Sequence, residues 1–170
     1  MNRNQLFLLV IAILTIPLLW LAGPDTPTTS LGSLEGVTLS TINGEKFKLS
    51  GIFSDKKILF VFWSITCATC IEEIPFICRL YENWRDQLTI IGVHPSGYPL
   101  PKIQKFLRKF PTKIPYQLAI DDQSSLMKAF QVTILPKVVL INRRGEVLYS
   151  HLGYDPSMET EIQHAIAEKL

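Results

Sequence analysis

Charge is scarce in this chain. Asp, Glu, Lys and Arg make up 19% of 170 residues and nearly cancel, leaving a net charge of +2, so nothing argues for nucleic acid as a partner. The local exception is Lys102, Lys105, Arg108, Lys109 and Lys113, which cluster around one amphipathic helix and read as a solvated face. Cysteine is equally sparse, at three. A structural zinc needs four ligands, and Cys78, His94, His151 and His164 add no second pair at metal-ligand spacing to Cys67 and Cys70. No His follows Cys70, which removes c-type haem attachment. The three methionines form no cluster that would favour copper(I). Neither Cys67 nor Cys70 has the proline of the Pro-x-x-x-Thr-x-x-Cys pattern of thiol peroxidases. No internal repeat is visible.

What the chain does have begins with an apolar leader. Residues 6–22 (LFLLVIAILTIPLLWLA) carry no charge and would span ~26 Å as a helix, enough for one membrane crossing. Pro17 is tolerable in such a helix. A cleaved signal peptide is the rival, but cutting after Ala22 or Gly23 puts Trp20 or Leu21 where a small residue is wanted. Residues 1–22 therefore read as a membrane anchor. Arg3 precedes the span and the first basic residue after it is Lys46, so the positive-inside rule sends the rest outward. The expectation is a single-pass protein of a bacterial inner membrane, its domain facing the periplasm or outer face, an oxidising compartment. Residues 23–34 (GPDTPTTSLGSL) read as a tether, and residues 35–170 as one domain.

Within that domain, Asn43-Gly44 marks a hairpin between strands at 37–42 and 45–49. Residues 57–64 form an apolar run, as expected of a central strand buried on both faces. A helix follows to about Trp84, with Pro75 expected to bend it. Then come a strand at 88–94, a basic helix at 100–110, a strand at 116–120 and a short helix at 124–131 with Ser124 or Ser125 as cap. A second hairpin, 138–142 with 146–151, and a helix at 158–170 close the chain. This alternation predicts an α/β domain with a mixed sheet covered on both faces.

Cys67-Ala68-Thr69-Cys70 lies where the central strand gives way to the helix. Two cysteines three apart at a helix start place one sulfur against unpaired backbone N–H groups, which favours thiolate. The second sulfur is within reach to close a disulfide. That context reads as redox chemistry. Cys78 lies ~12 Å beyond Cys70 along a helix, too far for a disulfide, whose Cα atoms stand within about 7 Å. It reads as a small buried hydrophobe on the face with Ile74 and Tyr81. His94 ends a strand near the same sheet edge, and a lone His there reads as structural or solvated.

Several landmarks occur together: the Asn43-Gly44 hairpin, Phe62-Trp63 ahead of Cys67-x-x-Cys70, Glu73-Ile74-Pro75 on the helix, and Phe130-Gln131-Val132 through Leu135-Pro136 before residues 138–142. In these, over most of residues 35–155, the chain resembles the membrane-anchored thioredoxin-like thiol-disulfide oxidoreductases of the TlpA/ResA/CcmG family. The resemblance implies a thioredoxin-like fold with helices on both faces of a mixed central sheet and an added N-terminal β-hairpin. It implies catalytic Cys67, Cys70 and Glu73, with a redox-active Cys67–Cys70 disulfide and no other cofactor or metal. It also implies a cis Pro136, with Trp63, Leu135 and Pro136 contacting substrate as a short added strand. Three positions depart from thioredoxins: Val61 replaces a buried acid, Thr66 the Trp before the first Cys, and Lys137 the small residue after the cis-proline. Lys137 would offer positive charge beside the groove or point to solvent. Glu73 has a second reading, an ordinary first-turn acid stabilised by the helix dipole, as for Glu72.

The activity these readings imply is reduction of disulfides in envelope client proteins, for example in cytochrome c maturation, with a membrane electron donor restoring the dithiol. Glu72 and Glu73 oppose negative charge on sulfur and no cation lies between the cysteines, which favours a reductant. A disulfide oxidase or isomerase, or a copper-binding chaperone for metalloenzyme assembly, remains the alternative.

Overall fold

A central strand with no polar face needs cover on both sides, and the fold supplies it. The computed structural model describes residues 34–53 and 55–170; the expected anchor, residues 1–22, and the tether up to residue 33 lie outside them. Among the described residues no helix is long and apolar enough to cross a membrane. The strands are β1 (Thr38–Thr41), β2 (Lys46–Lys48), β3 (Lys57–Phe62), β4 (Leu88–Pro95), β5 (Gln117–Asp121), β6 (Lys137–Ile141) and β7 (Val147–Leu152). They form one sheet in the order β2-β1-β5-β4-β3-β6-β7. β4 is parallel to both β3 and β5, whereas β1 and β6 join antiparallel.

Parallel neighbours require crossovers. Helix α1 (Ala68–Trp84) links β3 to β4, and α2 (Leu100–Lys109) links β4 to β5. Two shorter helices follow, α3 (Ser125–Ala129) and α4 (Glu159–Ala167). Successive side chains of a strand face opposite ways, so β3 divides between two cores. Ile58, Phe60 and Phe62 meet Leu126 and Phe130 on one face; Leu59 and Val61 meet Phe76, Ile77 and Leu80 of α1 and Ile162 and Ile166 of α4 on the other. The fold is the mixed, thioredoxin-like sheet expected, with its N-terminal hairpin attached through β1 to β5.

Local chemistry moved several boundaries. Ser124 occupies the cap position of α3 but makes no side-chain cap bond. Buried Asp121, at the end of β5, caps instead: its carboxylate accepts from the N–H groups of Ser125 (2.8 Å) and Met127 (2.9 Å). We expect Asp121→Ala to cost about 1–2 kcal/mol in urea unfolding, by leaving two part-buried donors unpaired, and Asp121→Asn to recover only part of it, because its single amide oxygen replaces one of the two acceptors. In the second hairpin Asn142 Oδ1 accepts from the N–H groups of Arg144 and Glu146. That turn takes Glu146 out of the ladder, and a register shift follows at Leu140/Ile141. Asp155 likewise accepts from the Ser157 N–H and starts a 3-10 turn, Pro156–Met158, so that α4 begins at Glu159.

Candidate active site

Cys67 is the N-cap of α1, and its backbone is extended (φ −99°, ψ 105°). That geometry turns its sulfur back over the first turn, where Sγ accepts from the Cys70 N–H at 3.2 Å. The two sulfurs are bonded at 2.04 Å, with Cα atoms 5.2 Å apart. Cys67 is partly exposed while Cys70 is 1% exposed. One sulfur can thus be reached by a partner and the other cannot. A thiolate on Cys67 would keep the N–H contact that steadies its charge.

The floor under the pair is apolar. Trp63, Cys70 and Ile74 form a buried cluster with Cys67, Cys78, Leu135, and Phe106, Leu107 and Phe110 at the C-terminal end of α2 packed against it. Room for the Trp63 ring depends on Gly92, where an added Cβ would lie 3.3 Å from Trp63 Nε1 and 2.6 Å from Leu118. The Leu135–Pro136 bond is cis, as the resemblance implies, and Leu135 joins the same cluster as the cysteines. Ile134, beside them, is 59% exposed. Of the two expectations for Lys137 at this edge, the side chain free in solvent is corrected, since the residue is half-buried and its ammonium is held by a hydrogen bond. Its Nζ donates to the Phe130 carbonyl at 2.8 Å, satisfying the end of α3.

Glu73 lies one turn beyond Cys70, at the i+3 position, which faces the same way on a helix. It is 1% exposed, and neither carboxylate oxygen has a hydrogen-bond partner. Burial pushes its pKa up to about 8. This overturns its reading as an acid stabilised by the helix dipole, because with Cys67 as cap Glu73 falls in the second turn and its proton is held, not released. It also corrects the electrostatic expectation: a protonated Glu73 places no negative charge near sulfur at neutral pH, and exposed Glu72 alone does so. Burial likewise raises Tyr116, with Cys78 and Glu73 adding to the effect, so these groups share one poorly solvated region. Cys78 itself is half-buried, unpaired and raised by burial, then by Glu82. Val61, 3% exposed, leaves Glu73 as the buried carboxylate among the described residues that is not used in capping.

Of the two readings of His94, structural or solvated, the structure supports the first, with partners that the sequence did not reveal: the ring holds the segment before Cys67. His94 is 1% exposed and accepts from the Ile65 N–H at Nε2 (3.2 Å). Nδ1 therefore carries the hydrogen and donates to the Pro95 carbonyl at 2.8 Å. Burial lowers its pKa, the Pro95 bond only partly opposing this, so the ring is neutral at pH 7. Trp63 and Tyr98 stand edge-on to it, at 5.4 and 5.1 Å between centroids. The Tyr98 hydroxyl shares a hydrogen bond with Thr66 Oγ1 (2.9 Å), which shares another with Ser64 Oγ (3.1 Å). The signal was available: β3 and β4 pair Phe62 with Val93 in parallel, so the residues that follow, Trp63 and His94, must sit side by side.

A family model described as Redoxin matches residues 23–166. The thiol-disulfide oxidoreductase ResA of Geobacillus kaustophilus is 31% identical over 110 residues, covering 64% of this chain and 61% of that protein. The chain thus spans somewhat less than two thirds of the length of such relatives. Among solved structures, dsbF of Mycobacterium tuberculosis, captured in mixed oxidised and reduced forms, superposes with a TM-score of 0.68 at 22% identity, covering 84% of this chain and all of that one. A secreted disulfide oxidoreductase of the same organism gives 0.65 at 17% identity, covering 82% and 99%. At these identities the two structures show a shared fold.

Proposed function

This chain belongs to the Redoxin family, as one of its TlpA/ResA/CcmG-like thioredoxin-fold members, and we propose that it works as an extracytoplasmic thiol-disulfide oxidoreductase. The observation that carries the reading is the asymmetric pair at the start of α1, one sulfur reachable and capped by an N–H, the other buried beneath it. In the reducing direction the Cys67 thiolate attacks a client disulfide, forming a mixed disulfide and releasing one client thiolate. The Cys70 sulfur then displaces the second client sulfur from Cys67. The internal disulfide forms, the client gains two electrons, and its two thiolates take up the proton lost by Cys70 and one from solvent, which had received the Cys67 proton. In its ionised form, which grows as pH rises toward 8, Glu73 fits a proton-accepting role toward Cys70, since a pKa of about 8 lies close to that of a thiol, where general acid–base transfer is most effective.

Half-buried Leu135 would contact the client, the backbone beside Pro136 pairing with it as an added strand, while Trp63, 3% exposed, supports the pair from below rather than touching the client. The clients are disulfide-bearing envelope proteins, apocytochrome c among them, and a membrane electron donor returns the pair to the dithiol. The apolar, uncharged run at residues 6–22, with Arg3 before it and no basic residue after it until Lys46, supports a domain held outside the membrane. A Cys70→Ser chain expressed in its own host tests the assignment, because it can form the mixed disulfide but not resolve it. Recovery of envelope proteins linked to Cys67, released by dithiothreitol, is the expected result. Absence of any mixed disulfide, together with copper(I) bound by the reduced chain through Cys67, would favour the metal-chaperone alternative.

A further inference from the structure

The helix that walls the dithiol carries a cationic face with no acidic counterpart. At 100° per residue, Lys102, Lys105, Arg108 and Lys109 fall within roughly 120° of α2, and all four are exposed. The opposite face is apolar: Ile103 is fully buried, and Phe106, Leu107 and Phe110 pack on the cluster of Trp63 and Cys70. Lys113, just past the helix, is exposed as well. Elsewhere in the described residues arginines have carboxylate partners: Arg79 with Glu159, Arg85 with Glu82, Arg143 with Asp55 and Arg144 with Glu146. Arg108 and the four lysines around it have no ion pair among the described residues.

Helix electrostatics do not account for this arrangement. Arg108 and Lys109 lie in the last turn, where the macrodipole favours cations, but Lys102 lies in the first, where it disfavours them. Lys102/Lys105, Lys105/Arg108 and Lys105/Lys109 are also like-charge pairs at i+3 or i+4, which destabilise a helix. The sequence-based reading of a merely solvated face leaves that cost unexplained. An anion that docks there offsets it.

We propose that this face of α2 is a docking surface for an acidic polypeptide segment adjoining the disulfide that Cys67 attacks. The inference rests on the dithiol reading and adds a partner chemistry to it. Because the same helix presents its cations outward and packs its aromatic residues in the cluster that includes Cys67 and Cys70, a segment held on the cations lies along the helix that flanks the dithiol. Complementary charge of this kind raises encounter rates and is screened by salt. An anionic bilayer would also meet a basic face, but it would cover the wall of the site and brings no disulfide to it.

The test uses the reduced full-length chain in detergent and three oxidants: a cystine-linked peptide flanked by Asp and Glu, the same peptide flanked by Lys and Arg, and uncharged hydroxyethyl disulfide. At ~10 mM salt, where exposed charges act over ~30 Å, the acidic peptide should be reduced at least ~10-fold faster than the basic one; at ~1 M, where the reach is ~3 Å, the ratio should approach one. Lys102→Gln/Lys105→Gln/Arg108→Gln/Lys109→Gln should lose the preference and keep its rate with hydroxyethyl disulfide. Changing the same four residues to Glu should invert it. Equal rates for the two peptides at low salt, a preference that survives in the Gln variant, or cation-dependent sedimentation with phosphatidylglycerol vesicles without peptide discrimination would each overturn the proposal. Failure of the dithiol reading itself is separately visible, as no reduction of hydroxyethyl disulfide by the unmodified chain.

Discussion

Cys67→Ser should lower the rate of disulfide reduction by at least ~10³-fold with no burst, whereas Cys70→Ser should react once at near-normal rate and then stop. The difference follows from burial. Cys67 is the sulfur a partner can reach, and its thiolate is steadied by the Cys70 N–H, so its loss removes the first chemical step. Cys70 is 1% exposed and can meet only a sulfur already held on Cys67. A stopped-flow trace of the Cys70→Ser chain with excess oxidant should show one equivalent of client thiolate released and a stable mixed disulfide. A burst from Cys67→Ser instead would reverse the two roles.

Glu73 should make the protein lose stability as the solution becomes alkaline. Its folded-state pKa is about 8 against an ordinary 4.5, so between those values the native state holds a proton that the unfolded chain has released. The unfolded state therefore binds fewer protons, and the unfolding free energy falls as pH rises. The Glu73 contribution is fully present below pH 4.5 and is lost by pH 8 and above. One pKa unit is worth ~1.4 kcal/mol, which makes the whole effect on the order of 5 kcal/mol. Urea titrations at pH 5, 7 and 9 should show Glu73→Gln lacking this part of the slope: similar to the parent at pH 5 and more stable at pH 9. All other groups titrate in both chains, so the difference isolates this carboxyl. In catalysis the same substitution should slow resolution of the mixed disulfide by ~10²-fold and erase the rise in rate that the parent shows through pH 8. A parallel pH slope in the two proteins would mean that Glu73 is ionised when folded.

Where pattern and physics coincide, the sequence was readable. The β3 run is apolar at every step because both faces are covered, and α1 starts where the cysteine spacing placed it. Asn43-Gly44 and the cis Leu135–Pro136 bond were likewise legible, the latter through resemblance. What escaped depended on partners distant in sequence. Asp121 rather than Ser124 caps α3 because the carboxylate at the end of β5 reaches two N–H groups at once. Lys137 is spent on a carbonyl seven residues earlier. His94 gained its role only when parallel pairing set it beside the Cys67 approach. Glu73 was found by its position but misjudged in charge, since solvent exclusion has no signature in a local string of residues.

The most direct measurement is a glutathione redox titration of the full-length chain, read by the Cys67–Cys70 thiol content. A single reversible two-electron transition, moving 29.6 mV per tenfold change in equilibrium constant and lying toward the −270 mV end of the range from about −270 to −120 mV, is the predicted result. No reversible transition, or one that survives in Cys67→Ser, would contradict the account at its centre; a midpoint near −120 mV would keep the pair but reverse its direction.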